Sequence, residues 1–178
     1  EKDWEQALRE NALGRYGHLS DIPPALAYAK ANLEVIHSPN KRVIAVDVIL
    51  LTVDGKILGK PQSPEEAREI ICDQAGKLVT QIAGTAFWDG SRWFFGKTTV
   101  SMKRQQNHRE EVERYINNHL FTVLTTGGGL PITDPNVVKN FYEEDSFLTS
   151  VTYSTQEGNS LEVFRGYQSR DQRELLIQ

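Results

Sequence analysis

The chain has 178 residues, 39% of them hydrophobic and 25% charged, and carries a formal net charge of −4. Those totals suit one soluble globular domain, 1–178, large enough to bury about two thirds of its unfolded surface. They exclude a run of about 20 apolar residues for a membrane helix and the basic excess of a broad nucleic-acid surface, while leaving room for a small anion site.

In chain order, a first helix is predicted over 2–12, with Trp4, Ala7 and Leu8 on one face. Gly14 and Gly17 loosen the chain before a second helix, about 23–36, entered through Pro23-Pro24. Leu26, Ala29, Leu33 and Ile36 form its apolar face, and Lys30 lies on that face. The β-branched run from Val43 to Leu51 reads as a strand buried on both faces. Asp54-Gly55 turns it back into a short strand, Lys56 to Leu58.

Ser63 caps a third helix, Pro64 fits its first position and Glu66 completes a capping box. Ala67, Ile70, Ile71 and Ala75 follow at helical spacing, and Gly76 stops it. Lys77 to Trp88 and Arg92 to Lys103 are long strands about an Asp89-Gly90 hairpin. Asn107 is expected to cap a fourth helix, with Glu110 three residues on and Val112, Tyr115, Ile116 and Leu120 as its stripe. A strand over Thr122–Thr126, a helix over Pro135–Glu143 and a strand pair, Phe147–Tyr153 with Leu161–Tyr167, complete the reading. No repeat, low-complexity tract or linker interrupts it. Helices mixed with hairpins give an α/β fold with a mixed sheet.

A single cysteine, Cys72, excludes an internal disulfide, and no signal peptide is visible, so a reducing, cytoplasmic setting is expected. Cys72 reads as a small packing residue. The chain opens at Glu1 and its only methionine is Met102, so a segment N-terminal to it is expected.

Asp47 is the most informative residue. It interrupts an apolar strand, and a buried carboxylate needs a cation. The residues leave two readings open: a core salt bridge, or a metal ligand or general base in a cleft. Lys30 either snorkels from its helix face or serves a site. Lys60, framed by Gly59 and Pro61, is either an ordinary turn lysine or a cation held for a ligand. One acid and two such lysines suit phosphate chemistry, in which a metal bridges phosphate oxygens and lysines neutralise charge. Gly127-Gly128-Gly129 either exposes amides to a phosphate or is a flexible turn. His18, His37, His108 and His119 show no metal-ligand spacing and read as surface or capping residues. No Ser-His-Asp arrangement emerges from the spacing.

Ala27-Tyr28-Ala29-Lys30-Ala31, then Ala45-Val46-Asp47, then Asp54-Gly55-Lys56-Ile57-Leu58-Gly59-Lys60-Pro61 resemble the Maf family, the septum-formation-inhibitor-like nucleotide pyrophosphatases. Gly76-Lys77, Gly84-Thr85-Ala86, Thr98-Thr99-Val100 and Glu110 to Ile116 are similar to the family's following strands and helix. The resemblance covers roughly residues 25–117. It implies an elongated mixed sheet flanked by helices, shared with inosine triphosphate pyrophosphatases. It also implies Mg²⁺- or Mn²⁺-dependent hydrolysis of a nucleoside triphosphate to monophosphate and pyrophosphate. On that resemblance Asp47 matches a catalytic, metal-associated aspartate, Lys30 and Lys60 match phosphate-contacting lysines, and relatives of this kind suggest a homodimer.

Three departures stand beside the match. The family's opening Ser-x-Ser-Pro-Arg-Arg loop has no counterpart here. Its histidine and threonine in the Gly-Arg-x-His-x-x-x-Thr-Gly stretch are Val79 and Ala83. Its late Gly-Tyr-Gly-Ile-Gln segment is echoed by Gly127 to Ile132 without the glutamine. Three readings follow: an active pyrophosphatase, a nucleotide-binding relative that has lost catalysis and serves a regulatory or interaction role, or a structural domain whose Asp47 and lysines pair in the core. Neither a membrane nor a nucleic acid is expected as partner.

Overall fold

The computed structural model describes residues 18–143, 148–155 and 160–167. The helix expected over 2–12 and Phe147 lie outside the described residues. The described elements are α1 (Ile22–His37), β1 (Val43–Thr52), β2 (Ile57–Leu58), α2 (Pro64–Asp73), β3 (Leu78–Trp88), β4 (Trp93–Lys103), α3 (Arg109–Asn118), α4 (Leu120–Thr125), α5 (Pro135–Phe141), β5 (Leu148–Thr155) and β6 (Ser160–Tyr167). Six strands form one sheet in the order β2-β1-β3-β4-β5-β6. β1 and β2 pair antiparallel, with Leu50 opposite Leu58 and Leu51 opposite Ile57. β3 and β4 are joined through residues 89–92 alone, a connection that only an antiparallel pair allows. The expected α/β class is the one observed. No helix among the described residues is long and apolar enough to cross a membrane.

The chain divides into two compact units. Unit 1 takes the described residues within Glu1–Val48, Ile82–Thr99 and Ser150–Arg165. Unit 2 takes those within Ile49–Gln81, Val100–Thr149 and Gly166–Gln178.

In unit 1, Pro23-Pro24 opens α1, where missing amide donors cost nothing. The helix start lies directly on β3 because Gly84 has no side chain. A Cβ there would fall well inside contact distance of the Pro24 nitrogen. The expected face of α1 needs correction: Ile22, Leu26, Ala27, Ala31 and Val35 are buried, whereas Leu33 and Ile36 are exposed. The small Ala27 and Ala31 let the helix approach the cluster of Ala86 and Trp93, which the longer Leu33 and Ile36 would prevent. β1 also differs from the fully buried strand expected. Over its first half, Ile44, Val46 and Val48 are exposed and alternate with residues on the covered side; burial is continuous only from Ile49 to Thr52. β-branched side chains favour extended backbone whether or not both faces are covered, so the run alone overstated burial. At the far end of β3, Asp89 Oδ1 accepts from the amides of Ser91 and Arg92, and Gly90 supplies the positive φ of the hairpin.

In unit 2 the core gathers Leu50, Leu58, Ala67, Ile71, Val79, Met102, Val112, Ile116, Val123, Leu130, Val137, Phe141 and Tyr142. Ser63 Oγ accepts from the Glu66 amide at 3.1 Å, and Glu66 Oε2 accepts from the Gln62 amide at 2.7 Å, closing the start of α2 as expected. The cap of α3 sits one residue later than expected. His108 N–H donates to Glu111, while the Asn107 side chain is drawn away to the Asn140 carbonyl at 2.8 Å. Thr122–Thr126 is not a strand. α4 covers that stretch as far as Thr125, whose Oγ1 returns its hydrogen bond to the Phe121 carbonyl one turn back. Local hydroxyl bonding and the burial of Val123 outweigh the strand preference of so short a β-branched run.

Candidate functional site

Two of the three residues singled out by sequence meet in unit 1. Asp47 follows Val43 and Ala45 on the covered side of β1 and is 5% exposed. α1 carries Lys30 to the border of its buried stripe, next to Ala31, and its Nζ donates to Asp47 Oδ1 at 2.6 Å. The Lys30 side chain is 31% exposed, so the pair joins a buried carboxylate to a partly exposed lysine. Withdrawing a carboxylate from solvent costs several kcal/mol, and a charged partner at hydrogen-bond distance offsets much of it.

Among the described residues, no group of three or more His, Cys, Asp or Glu side chains is placed to hold a metal ion. Asp47 therefore offers one hard oxygen donor group. Mg²⁺ is commonly bound by one or two carboxylates, with substrate phosphates supplying further oxygens. The donor chemistry fits a Mg²⁺ or Mn²⁺ ion that arrives with a phosphate ligand.

Lys60, the third residue, belongs to unit 2 and is exposed, in the loop between β2 and α2. Pro61 behind it is buried, and the Lys60 carbonyl accepts from Gln62 Nε2 at 3.0 Å. The preceding Gly59 carbonyl accepts the Gly128 amide at 2.9 Å, so the triple-glycine stretch is docked on the Lys60 loop. That stretch is a short 3-10 turn in which Gly128 and Gly129 have φ of 67° and 73°, a region that favours glycine. Two of its three amides are taken by backbone carbonyls: Gly128 donates to Gly59 and Gly129 to Thr126. The run is a turn, and those two amides are not offered to an anion.

Beneath the turn lies a residue that the sequence did not single out. Arg104 is 2% exposed, and its Nε, Nη1 and Nη2 have no hydrogen-bond partner among the described residues. Its guanidinium carbon lies 4.7 Å from the centre of the Tyr142 ring. Its backbone amide, by contrast, is satisfied by the Lys77 carbonyl at 2.9 Å. Burial pushes the Arg104 pKa below its ordinary value, opposed by the nearby Tyr142 and Tyr115. Burial likewise raises Tyr142, whose hydroxyl donates to the Leu130 carbonyl at 3.2 Å. Tyr115 is pushed up to about 12, again chiefly by burial. Arg104 escaped notice because it sits one residue past the strand end, where charged residues are ordinary.

The histidines behave as read from spacing. His37 and His119 are exposed at helix ends, with ring nitrogens on the carbonyls one turn back, and His108 opens α3.

The sequence model of the family described as Maf-like protein matches residues 5–147. The chain belongs to the Maf-like family. Lys30, Asp47 and Lys60 all fall inside the matched stretch. Among curated relatives, a dTTP/UTP pyrophosphatase of Pyrococcus furiosus is 30% identical over 105 residues, 59% of this chain and 55% of that protein. One of Thermomicrobium roseum is 30% identical over 131 residues, covering 74% and 59%. One of Bacillus mycoides is 31% identical over 109 residues, covering 60% and 56%. This Maf-like chain spans somewhat more than half the length of those relatives.

Proposed function

We propose that the chain is a nucleoside triphosphate pyrophosphatase, cleaving the bond between the α- and β-phosphates to release a nucleoside monophosphate and pyrophosphate. Family membership together with the names of the relatives supports the reaction class, and those names point to dTTP and UTP as first substrates to try. The observation that carries the reading is the Lys30–Asp47 pair: a carboxylate kept at a nearly buried position by a lysine whose side chain is partly exposed.

In this reading Asp47 would hold Mg²⁺ or Mn²⁺, which neutralises charge on the phosphate oxygens when bound. Lys30 stabilises the carboxylate before substrate arrives and then shares its protons with a phosphate oxygen, strengthening as negative charge develops there. On the family resemblance Lys60, exposed on its loop in unit 2 ahead of the buried Pro61, is the third residue proposed for the phosphate chemistry. A cytoplasmic homodimer acting on free nucleotides, with no nucleic acid or membrane partner, completes the proposal.

The second reading, a nucleotide binder without turnover, is favoured by one observation. Val79, at the position of the family's histidine, is fully buried in the unit 2 core and offers no polar group to a ligand. The two readings separate on a panel of nucleoside triphosphates with Mg²⁺ or Mn²⁺, with products resolved by ion-exchange chromatography. Monophosphate with pyrophosphate supports the enzyme. Diphosphate with orthophosphate contradicts it, and saturable binding without product supports the binder.

A further inference from the structure

Arg104 poses a problem that the proposed reaction does not use. A guanidinium presents five N–H donors, and burial without acceptors is among the more costly arrangements a protein can hold. The Tyr142 ring face offsets part of the charge but accepts no N–H in its plane. Among the described residues, the charged groups that act on Arg104 are Tyr142 and Tyr115, and no carboxylate is one of them.

What covers the guanidinium is equally specific. A Cβ built on Gly128 would lie 3.5 Å from Arg104 Nη2, so the cover over that nitrogen is a residue without a side chain. Leu50 Cδ2 and Leu58 Cδ1 complete the surroundings of that point, at 2.6 and 3.6 Å from the same position. Gly128 and Gly129 both occupy the left-handed region, from which glycine can leave for other conformations at little steric cost. The turn they form is tied down by two backbone hydrogen bonds, to Gly59 and Thr126. The first of these joins the turn to the loop that bears Lys60, so lifting the turn exposes Arg104 beside a loop that already carries a cation.

We propose that Arg104 is the receptor of a phosphoryl group, which enters where the Gly127–Gly129 turn lifts and takes the guanidinium as a multidentate donor. A tetrahedral phosphoryl group offers three oxygens and can engage more than one edge of the fork, which matches three unpartnered nitrogens better than a carboxylate does. The phosphoryl group belongs either to free phosphate or pyrophosphate or to a nucleotide. Only the nucleotide source rests on the proposed function.

The test is a thermal-unfolding titration of the whole chain in phosphate-free buffer with orthophosphate, pyrophosphate, dTMP and acetate at matched ionic strength. It is paired with the ¹⁵N–¹H resonance of the Arg104 Nε–H, assigned by its loss in Arg104→Lys. Orthophosphate and pyrophosphate should raise Tm saturably and move the resonance, and acetate should do neither. Arg104→Met should melt no lower than the wild type without phosphate and should bind pyrophosphate at least tenfold more weakly. Tighter binding of dTMP than of orthophosphate would assign the site to nucleotides, and equal binding would assign it to free phosphate; either supports the receptor. A wild-type resonance unmoved by pyrophosphate overturns it, whether or not the Met variant folds. So does an Arg104→Met protein that keeps the full shift, or an acetate response equal to that of phosphate. If no triphosphate is hydrolysed while the resonance still moves with phosphate, the pyrophosphatase reading fails and this one stands.

Discussion

Replacing Asp47 by Asn keeps the side-chain volume and removes the charge that Lys30 meets at 2.6 Å. A hydrogen bond to a charged group contributes about 1.5–3 kcal/mol, and breaking a fully buried ion pair costs about 3–5 kcal/mol. Lys30 is 31% exposed, so the ammonium left behind can hydrate, which places the loss toward the lower range. We expect about 2 kcal/mol, or a fall in Tm of about 4–8 °C for a chain of this size. Thermal unfolding followed by circular dichroism reads that loss directly. Repeating it with dTTP and Mg²⁺ reads the second consequence, because a ligand that binds only the folded state raises Tm. The wild type should gain stability from the nucleotide, and Asp47→Asn should gain almost none. Lys30→Met and the double variant close the cycle, with a coupling of about 1–2 kcal/mol between the two positions. An Asp47→Asn protein that melts with the wild type and keeps the full nucleotide shift would refute the reasoning on both counts.

Lys60 is exposed, so Lys60→Ala should change stability by less than about 0.5 kcal/mol while raising the KM for triphosphate; a large fall in Tm would show that the loop depends on its lysine. Gly84→Ala should destabilise by about 1–3 kcal/mol or more, because the added methyl meets the start of α1, and urea denaturation should show a clearly lower midpoint. The raised pKa values of Tyr115 and Tyr142 mean that the folded state favours their protonated forms. Their contribution is fully present below the ordinary tyrosine value, about 10, and is lost as pH climbs toward about 12. Absorbance at 295 nm should accordingly show Tyr115 and Tyr142, each identified by its loss in the Phe variant, titrating late and together with unfolding; titration of both near the ordinary tyrosine value would contradict the burial.

How much of this was legible in the sequence depended on whether a local signal had a tertiary rival. The start of α2 was readable because Ser63, Pro64 and Glu66 each satisfy a helix-end requirement within four residues. The β3–β4 hairpin was readable because Asp89-Gly90 meets a specific backbone demand. The face of α1 was misassigned because hydrophobicity favoured Leu33 and Ile36, whereas close packing on Ala86 and Trp93 selected the small Ala27 and Ala31. Thr122–Thr126 was misread because strand preference is weak beside helical hydroxyl bonding and one buried valine.

The same logic applies to the candidate site. Asp47 was visible as a charge inside an apolar run, and its partner Lys30 as a charge on an apolar helix face, so the pair was half written in the pattern. Arg104 was invisible, since nothing in Met102-Lys103-Arg104 marks the last residue as the buried one. Its burial is set by Tyr142 and the Gly127–Gly129 turn, 23 and more residues along the chain.

The central claim is a reaction, and product stoichiometry tests it most directly. Purified protein incubated with dTTP and Mg²⁺ or Mn²⁺ should release dTMP and pyrophosphate in equal amounts over the whole time course, and Asp47→Asn should release neither at a measurable rate. Appearance of dTDP with orthophosphate, or equal turnover by Asp47→Asn and the wild type, would contradict the account.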